Sequence, residues 1–206
     1  MPRPRFNKLP AEKRERILEA AAKEIAAHGY DGASLNRILD DAGISKGAAY
    51  YYFDDKADLY ATTILHYSQE LMGAISFDPA QLTASNFWDE IAGLYRQQFT
   101  AYAERPWVFG VAKAGGSPPA ELQDQEPLAQ LLEQAQLLLV QLLRHGRELG
   151  VVRDDLPQEL LLALVVAVDD AHDQWLYAHW AELSTADLEQ AAIRASDTLR
   201  RLLTPG

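Results

Sequence analysis

The residues best suited to binding chemistry lie in one short segment, from Ser45 to Lys56. Lysine ammonium groups and tyrosine hydroxyls can donate hydrogen bonds to phosphate oxygens, and a lysine can also reach a guanine edge. Gly47 and Ala48 are small, so a backbone can approach bases there, and the Ala48 methyl can meet a thymine methyl. The tyrosines at 50–52 step about 100° each around a helix, so at least one hydroxyl must face outward. The alternative is a surface helix whose aromatic side chains pack on its neighbours.

Two short helices must position these side chains, and the sequence marks both. Ser34 is a favourable N-cap for a helix over 35–42, whose apolar residues share one face. Gly43 can take the left-handed conformation that ends a helix, and Ile44 can plug the space between the two helices. Ser45 then caps the second helix, whose free amide groups can bind phosphate. This order predicts a helix-turn-helix, a motif that lays its second helix along a DNA groove.

Residues from about Glu12 to Leu59 resemble the DNA-binding domain of the TetR family of bacterial transcriptional regulators. Six motifs carry the resemblance: Ile17-Leu18-Glu19-Ala20-Ala21, Gly29-Tyr30, Ser34, the run from Ala42 to Gly47, Tyr50-Tyr51-Tyr52-Phe53 and Lys56-Ala57-Asp58-Leu59. The resemblance implies a DNA-binding domain over 1–56, followed by a helical bundle over 57–206 that binds an effector and dimerises.

The same resemblance implies which side chains meet double-stranded DNA. They are Lys46, Gly47 and Ala48 at the bases, Tyr50, Tyr51, Tyr52 and Lys56 at the phosphates, and Ser34, Asn36, Arg37 and Ser45 at the helix starts. Many members carry a hydroxyl residue at position 48 and a large apolar residue at 49. This chain has alanine at both positions, which predicts an altered base preference. Carboxylates at 40–41 and 54–55 should lower non-specific affinity for DNA.

The charge of the chain is distributed unevenly. The net charge is −11, although binding to DNA draws largely on cations that neutralise phosphates. Residues 1–56 contain ten Lys or Arg and nine Asp or Glu, whereas 57–206 contain nine and twenty-one. The acidity therefore lies outside the predicted DNA-binding domain. Arg3, Arg5 and Lys8 form a basic arm, which either follows the DNA backbone or a minor groove or is a disordered tail.

The pattern of apolar residues predicts an all-α chain of about nine helices. Besides the two short helices, we expect helices over 11–28, 57–75, 85–104, 107–114, 128–149, 157–180 and 185–203. The absence of cysteine excludes disulfides and thiolate metal sites. No apolar run reaches the ~18 to 20 residues that span a bilayer, and no signal peptide precedes the chain, so we expect a cytoplasmic protein.

One apolar helix indicates a dimer. Residues 160–168 are apolar on all sides, so most sides of that helix must be covered. With the last helix it can supply half of a four-helix dimer interface, the arrangement that the resemblance implies. A homodimer also matches the two-fold symmetry of a palindromic operator. The alternative is a monomer with this helix at the centre of its own core.

Aromatic residues concentrated in the expected fifth and sixth helices predict an effector cavity. By resemblance they face a polar stretch of the long apolar helix. The candidate effector residues are Trp88, Tyr95, Phe99, Tyr102, Trp107, Phe109, Asp169, His172, Asp173 and Leu176. An aromatic cavity with one or two carboxylates suits a small lipophilic, cationic ligand. Ordinary core packing is the alternative for any one of the aromatic residues.

Metal binding and catalysis have weaker support. Asp169, His172 and Asp173 share one helical face, but no second cluster of ligands accompanies them, which favours a polar patch over a metal site. A helical di-iron protein needs paired Glu-x-x-His motifs on facing helices, and the chain offers one Asp169-x-x-His172 and one reversed His145-x-x-Glu148. No nucleophile elbow is visible. We therefore predict no metal, no cofactor and no enzymatic activity.

Together these features predict a DNA-binding transcriptional regulator. The first hypothesis is a ligand-responsive repressor that binds a palindromic operator as a dimer. The alternative is an activator, or a regulator without an effector, that uses the same DNA-binding domain.

Overall fold

The computed structural model describes residues 2–75, 77–116, 122 and 126–205. Within these ranges the chain forms ten α-helices, two short 3-10 helices and no strand, which confirms the all-α prediction. The α-helices are α1 (Pro4–Asn7), α2 (Ala11–Gly32), α3 (Leu35–Ala42), α4 (Lys46–Tyr52), α5 (Lys56–Ala74), α6 (Phe87–Glu104), α7 (Pro106–Gly116), α8 (Glu126–Glu148), α9 (Gln158–His179) and α10 (Thr185–Leu203). The helix beyond the nine predicted ones is α1.

The helices form two compact units. The first comprises Met1–Met72 and Arg105–Leu132, and the second comprises Gly73–Glu104 and Glu133–Gly206. In the first unit, α2 packs against α3 and α7, and α1 packs against α4. In the second unit, α10 packs against α6 and α9. Most of α5 therefore belongs to the same unit as the helix-turn-helix, while a functional boundary at 56/57 stays a prediction.

Hydrogen bonds at their ends define α3 and α4 at the predicted residues. The Ser34 hydroxyl accepts from the backbone N–H of Arg37 at 3.4 Å, and the Ser45 hydroxyl accepts from that of Ala48 at 3.2 Å. Gly43, between the helices, has φ 64° and ψ 36°, a left-handed conformation that is strained for residues with a Cβ. These local signals fix both helices and the turn between them.

A buried carboxylate joins α2 to the start of α3. Glu24, which is 7% exposed, accepts hydrogen bonds through Oε1 from the backbone N–H of Ser34 at 2.7 Å and from Nε of Arg37 at 2.8 Å. The Arg37 guanidinium, helped by the Ser34 amide, lowers the pKa of Glu24 below its ordinary value despite burial. Between Glu24 and α3 the chain turns at Gly29, where φ is 64°. Glu24 thereby fixes the angle at which α3 leaves α2.

In the second unit, the core lies where α6, α8, α9 and α10 contribute apolar side chains. Its buried residues are Leu82, Phe87, Ile91, Leu143, Val152, Leu161, Val165, Leu199 and Leu203. The last helix begins with a capping box, in which Ser184 and Asp187 each accept a hydrogen bond from the other's backbone N–H. The predicted start of α10 after Ser184 is therefore correct.

We predict that Glu24→Gln lowers the free energy of unfolding by about 1–2 kcal/mol at pH 7, because it removes a charge-assisted pair of hydrogen bonds. The pKa of Glu24 is lower in the folded chain, so its stabilisation is present above the pKa of an unfolded glutamate. That stabilisation is lost as pH falls through the folded-state value. Urea unfolding at several pH values should show the two proteins converging in acid.

The matched control is Glu19→Gln, because Glu19 pairs with Lys23 at the surface of the same helix. Its cost should be a few tenths of a kcal/mol or less. A Glu24→Gln cost that did not depend on pH would contradict this assignment.

Candidate nucleic-acid interface and effector cleft

The orientation of α4 is set by one buried residue on its inner side. Ala49 is 3% exposed and lies against the rest of the first unit. Lys46 and Gly47 are exposed, and the side chains of Tyr50 and Tyr51 are 47% and 48% exposed. The outer side of α4 therefore presents one ammonium group and two phenol hydroxyls around a backbone that a ligand can approach closely. This is the chemistry that phosphates and base edges recognise.

Tyr52 is divided between this surface and the interior. Its ring lies 6.2 Å from that of Phe6 and 5.4 Å from that of Tyr51, both in edge-to-face arrangements, and it is half-buried. Ala48 is also half-buried, next to the exposed Gly47. Of the three tyrosines, Tyr52 is the one most engaged in packing.

Two of the predicted DNA-contacting cations have partners within the protein. Arg37 bonds Glu24, and its Nη2 donates to the carbonyl of Gly32 at 3.2 Å. Lys56 donates from Nζ to the carbonyl of Asp31 at 3.4 Å, and the same atom lies 4.7 Å from the centre of the Tyr30 ring. Both cations thus help to hold the domain together. Their contact with DNA stays a prediction.

The remaining predicted contacts occupy the starts of the two helices. Ser34 and Ser45 use their hydroxyls as N-caps, and Asn36 is exposed in the first turn of α3. The two serines therefore have a structural role at the starts of α3 and α4, and their contact with DNA stays a prediction.

The basic arm is ordered and packs on α4. Its residues form α1, with proline at the first helical position, and Phe6 is buried. Arg3 pairs with Asp54, Nη2 to Oδ1, at 2.7 Å. Asp55 accepts from the backbone N–H of Asp58 at 2.8 Å, at the start of α5. Each of the two carboxylates expected to repel DNA at 54–55 therefore has a partner, while those at 40–41 are exposed.

A partly open cleft of about 300 Å³ lies in the second unit, between α6, α9 and α10. Its lining residues are Phe99, Ala171, His172, Trp175, Leu176, Ala191 and Arg194. Three of the ten candidate effector residues, Phe99, His172 and Leu176, meet there. Trp175 and Arg194 were not among the candidates.

The predicted carboxylate Asp169 has a protein partner beside this cleft. The hydroxyl of Tyr95 donates to Asp169 Oδ1, and the Tyr95 ring lies 6.1 Å from that of Phe99. Burial raises the pKa of Asp169 above its ordinary value, although the hydrogen bond from Tyr95 opposes that effect. Burial also raises the pKa of Tyr95. Asp169 is therefore engaged in an internal hydrogen bond with Tyr95.

The other candidate effector residues are dispersed. Tyr102 is buried and stacks on Phe99 with ring centres 6.2 Å apart, whereas Trp88 packs edge-to-face on Phe87. Asp173 is half-buried on α9. Trp107 and Phe109 belong to α7, in the first unit. The Trp107 ring there lies 4.7 Å from Nζ of Lys23, and Phe109 is buried.

Two further features bear on the class of protein. In the part of the chain that the structure describes, no three His, Cys, Asp or Glu side chains converge as metal ligands. No helix in that same part combines the length and apolar character required to cross a membrane.

Known transcriptional regulators match the part of the chain that contains the helix-turn-helix. Residues 17–63 match the family described as bacterial regulatory proteins, tetR family. Over 165 residues, 77% of each chain, the protein is 29% identical to the HTH-type transcriptional repressor SCO4008 of Streptomyces coelicolor. These matches place residues 17–63 in the tetR family. The chain is also 26% identical over 162 residues, again 77% of each chain, to the HTH-type transcriptional repressor AcnR of Corynebacterium diphtheriae.

Solved structures of transcriptional regulators share the fold of the chain. FadR of Bacillus subtilis, solved in complex with stearoyl-CoA, superposes with a TM-score of 0.69 over 89% of this chain and 96% of its own, at 20% identity. A tetR family regulator of Shewanella sp. PV-4 gives a TM-score of 0.68 over 94% and 99%, at 18% identity. The matching family and the repressors named above identify the protein as a helix-turn-helix transcriptional regulator. Its α4 is the second helix of that motif, which the sequence predicts to be the recognition helix.

We predict that Lys46→Ala weakens binding to a preferred DNA site by about 1–2 kcal/mol and relaxes the preference for one base pair. Because one cation is lost, the salt slope should also fall by about one. Binding titrations at several salt concentrations, on the preferred site and on single-base variants, measure both effects. Arg201→Ala, which removes an exposed cation from the second unit, should change neither. Equal effects of the two substitutions would contradict this assignment.

Proposed function

We propose that the protein is a dimeric repressor that binds a palindromic operator in the cytoplasm and releases it when an effector binds. The observation that carries the proposal is the outer side of α4, where Lys46, Tyr50 and Tyr51 are exposed next to the small residue Gly47. The relatives named above are repressors, which favours repression over activation. A shorter match, 33% identical over 72 residues, is the transcriptional activator FasR of Mycolicibacterium smegmatis, and it supports the alternative.

The exposed face of α9 supports the proposed dimer. Leu160 is 43% exposed and Val166 is 53% exposed, although both are large and apolar. Ala163 and Ala167, also exposed, lie between them on the same side of the helix. The small alanine side chains allow a second helix to approach closely. That contact would bury the exposed leucine and valine on either side of them. A second copy related by a two-fold axis would cover this face and would place two recognition helices on one operator.

The proposal can be tested with DNA selected from a random pool by the full-length protein. Transcription in vitro from a promoter that carries the selected site should fall as protein is added. Selected sites should be palindromic. Ala167→Arg should yield monomers by light scattering and lower operator affinity at least about tenfold, because the two half-sites are no longer bound together. Ala84→Arg, on an exposed turn, should change neither. Transcription that rises with the protein would instead identify an activator.

We further propose the cleft between α6, α9 and α10 as the effector site. Aromatic and aliphatic walls suit a lipophilic ligand, and 300 Å³ lies at the lower end of the usual range for ligand pockets. Asp169 is bonded by Tyr95, whereas Arg194 lines the cleft beside Trp175, 5.6 Å from its ring centre. The positive charge of Arg194 in the cleft, with Asp169 engaged by Tyr95, favours a ligand with an anionic head group over the cationic ligand expected from the sequence. The structurally similar FadR is complexed with an acyl-CoA, which is lipophilic and anionic.

Octanoate and octylammonium test this assignment, because they share a chain length and differ in head-group charge. By calorimetry at pH 7, octanoate should bind more tightly, and Arg194→Gln should weaken its binding about two- to fivefold, as expected for an exposed ion pair. Arg144→Gln, which removes an exposed cation from α8, is the control. Tighter binding of octylammonium, or equal octanoate binding by all three proteins, would contradict the proposal.

A further inference from the structure

We propose that residues 3–6, here called the N-terminal brace, hold the recognition helix by its C-terminal end. The proposal rests on the DNA-binding role of α4 for its functional consequence. In it, Arg3 is a positioning residue that acts on DNA through α4 and does not itself contact phosphate. Four sets of contacts, all within the first compact unit, carry the inference.

The first contacts are to the backbone of α4. The last carbonyl groups of a helix lack partners within that helix. Arg3 fills two of these positions: its backbone N–H donates to the carbonyl of Tyr52 at 2.8 Å, and its Nη1 donates to the carbonyl of Tyr50 at 2.8 Å. A cation at this end also complements the helix dipole. Arg3 therefore caps the C-terminus of α4 from a distant part of the sequence.

The second contact removes a charge from the DNA-facing side. Nε and Nη2 of Arg3 both donate to Oδ1 of Asp54, at 2.9 and 2.7 Å. Asp54 lies two residues beyond the end of α4 and its side chain is 63% exposed. Without Arg3, that carboxylate would add its repulsion to phosphates near the tyrosines of α4. The guanidinium thus uses three of its donor groups within the protein.

The third and fourth contacts come from the next turn of the brace. Phe6 is 3% exposed, and its ring lies 4.8 Å from that of Phe53 and 6.2 Å from that of Tyr52. The guanidinium carbon of Arg5 lies 4.3 Å from the centre of the exposed Tyr51 ring. Phe6 anchors the brace in the core, while Arg5 restricts the ring of a predicted phosphate contact. Together these contacts orient the last turn of α4.

The test is a double-mutant cycle of Arg3→Gln and Asp54→Asn in the full-length protein, measured as affinity for the selected DNA at several salt concentrations. Arg3→Gln should weaken binding about three- to tenfold, the size expected of exposed ion pairs and single hydrogen bonds. In the Asp54→Asn background, where no carboxylate is exposed by the loss of Arg3, Arg3→Gln should leave the salt slope unchanged, because Arg3 releases no counterion from DNA. In the same background, the cost of Arg3→Gln should also be smaller.

A salt slope lower by about one, with the same cost in both backgrounds, would show that Arg3 binds phosphate and would overturn the proposal. Unchanged affinity would overturn it as well. Arg201→Gln controls for loss of a cation in general.

Hydrogen exchange in the absence of DNA tests the brace separately from the proposed function. Arg3→Gln should speed exchange at the amides of α4 and of Phe53 while leaving those of α2 unchanged. The Phe53 amide donates to the carbonyl of Ala49 at 2.8 Å, so it reports directly on the last turn. Unchanged exchange there would overturn the brace. Failure of the wild-type protein to select any DNA would overturn the proposed function alone.

Discussion

This protein must meet one constraint: α4 is too short to be a stable helix by itself, so neighbouring residues must hold it in place. The recognition helix α4 has seven residues, and isolated helices below about 12–15 residues are marginal in water. Its stability must therefore come from its ends and from its buried side. Ser45 caps the beginning, Ala49 packs beneath, and Arg3 bonds carbonyl groups at the end. These contacts hold both ends and the inner side of α4, while Lys46, Tyr50 and Tyr51 stay exposed.

Ion pairs in the first unit engage carboxylates both in the interior and at the surface. Glu24 is buried and bonds the exposed Arg37, which joins α2 to α3. Asp54 is exposed and is paired with Arg3, close to the proposed DNA-facing side. Glu24 and Asp54 are thereby engaged by neighbours, whereas Asp40 and Asp41 are exposed. Net charge alone does not describe this surface, because what matters is where each carboxylate finds its partner.

The helix-turn-helix could be predicted from sequence because its signals are local. Caps at Ser34 and Ser45 and the left-handed Gly43 act within three or four residues, so α3 and α4 lie where the sequence places them. The sequence predicts that α2 ends at residue 28. The chain instead resumes helical geometry after the turn at Gly29, so α2 ends at Gly32. A four-residue helix such as α1 has no apolar period to detect. Its order comes from Arg3 and Phe6 meeting residues about fifty positions away.

The cleft proposed as the effector site was only partly predictable for a related reason. Composition identifies aromatic residues, but it does not say which compact unit each helix joins. Phe99 lines the cleft, whereas Trp107, eight positions later, packs in the other unit against Lys23. Arg194 enters the cleft because α10 packs against α6 and α9, a pairing that helical periodicity does not specify. Because Arg194 lines the cleft and Tyr95 engages Asp169, the charge expected of the proposed ligand changes from positive to negative.

The central claim is that the first turn of α4 enters a DNA groove twice in each complex. The chain has no cysteine, so Gly47→Cys offers a single attachment point, and a Cβ at Gly47 meets no atom closer than 4.0 Å. An iron chelate attached there, with peroxide and a reductant, should cut the selected DNA at two symmetric positions about 10 base pairs or a multiple of that apart. Cleavage no different from that by the free chelate, or at a single asymmetric position, would contradict the account.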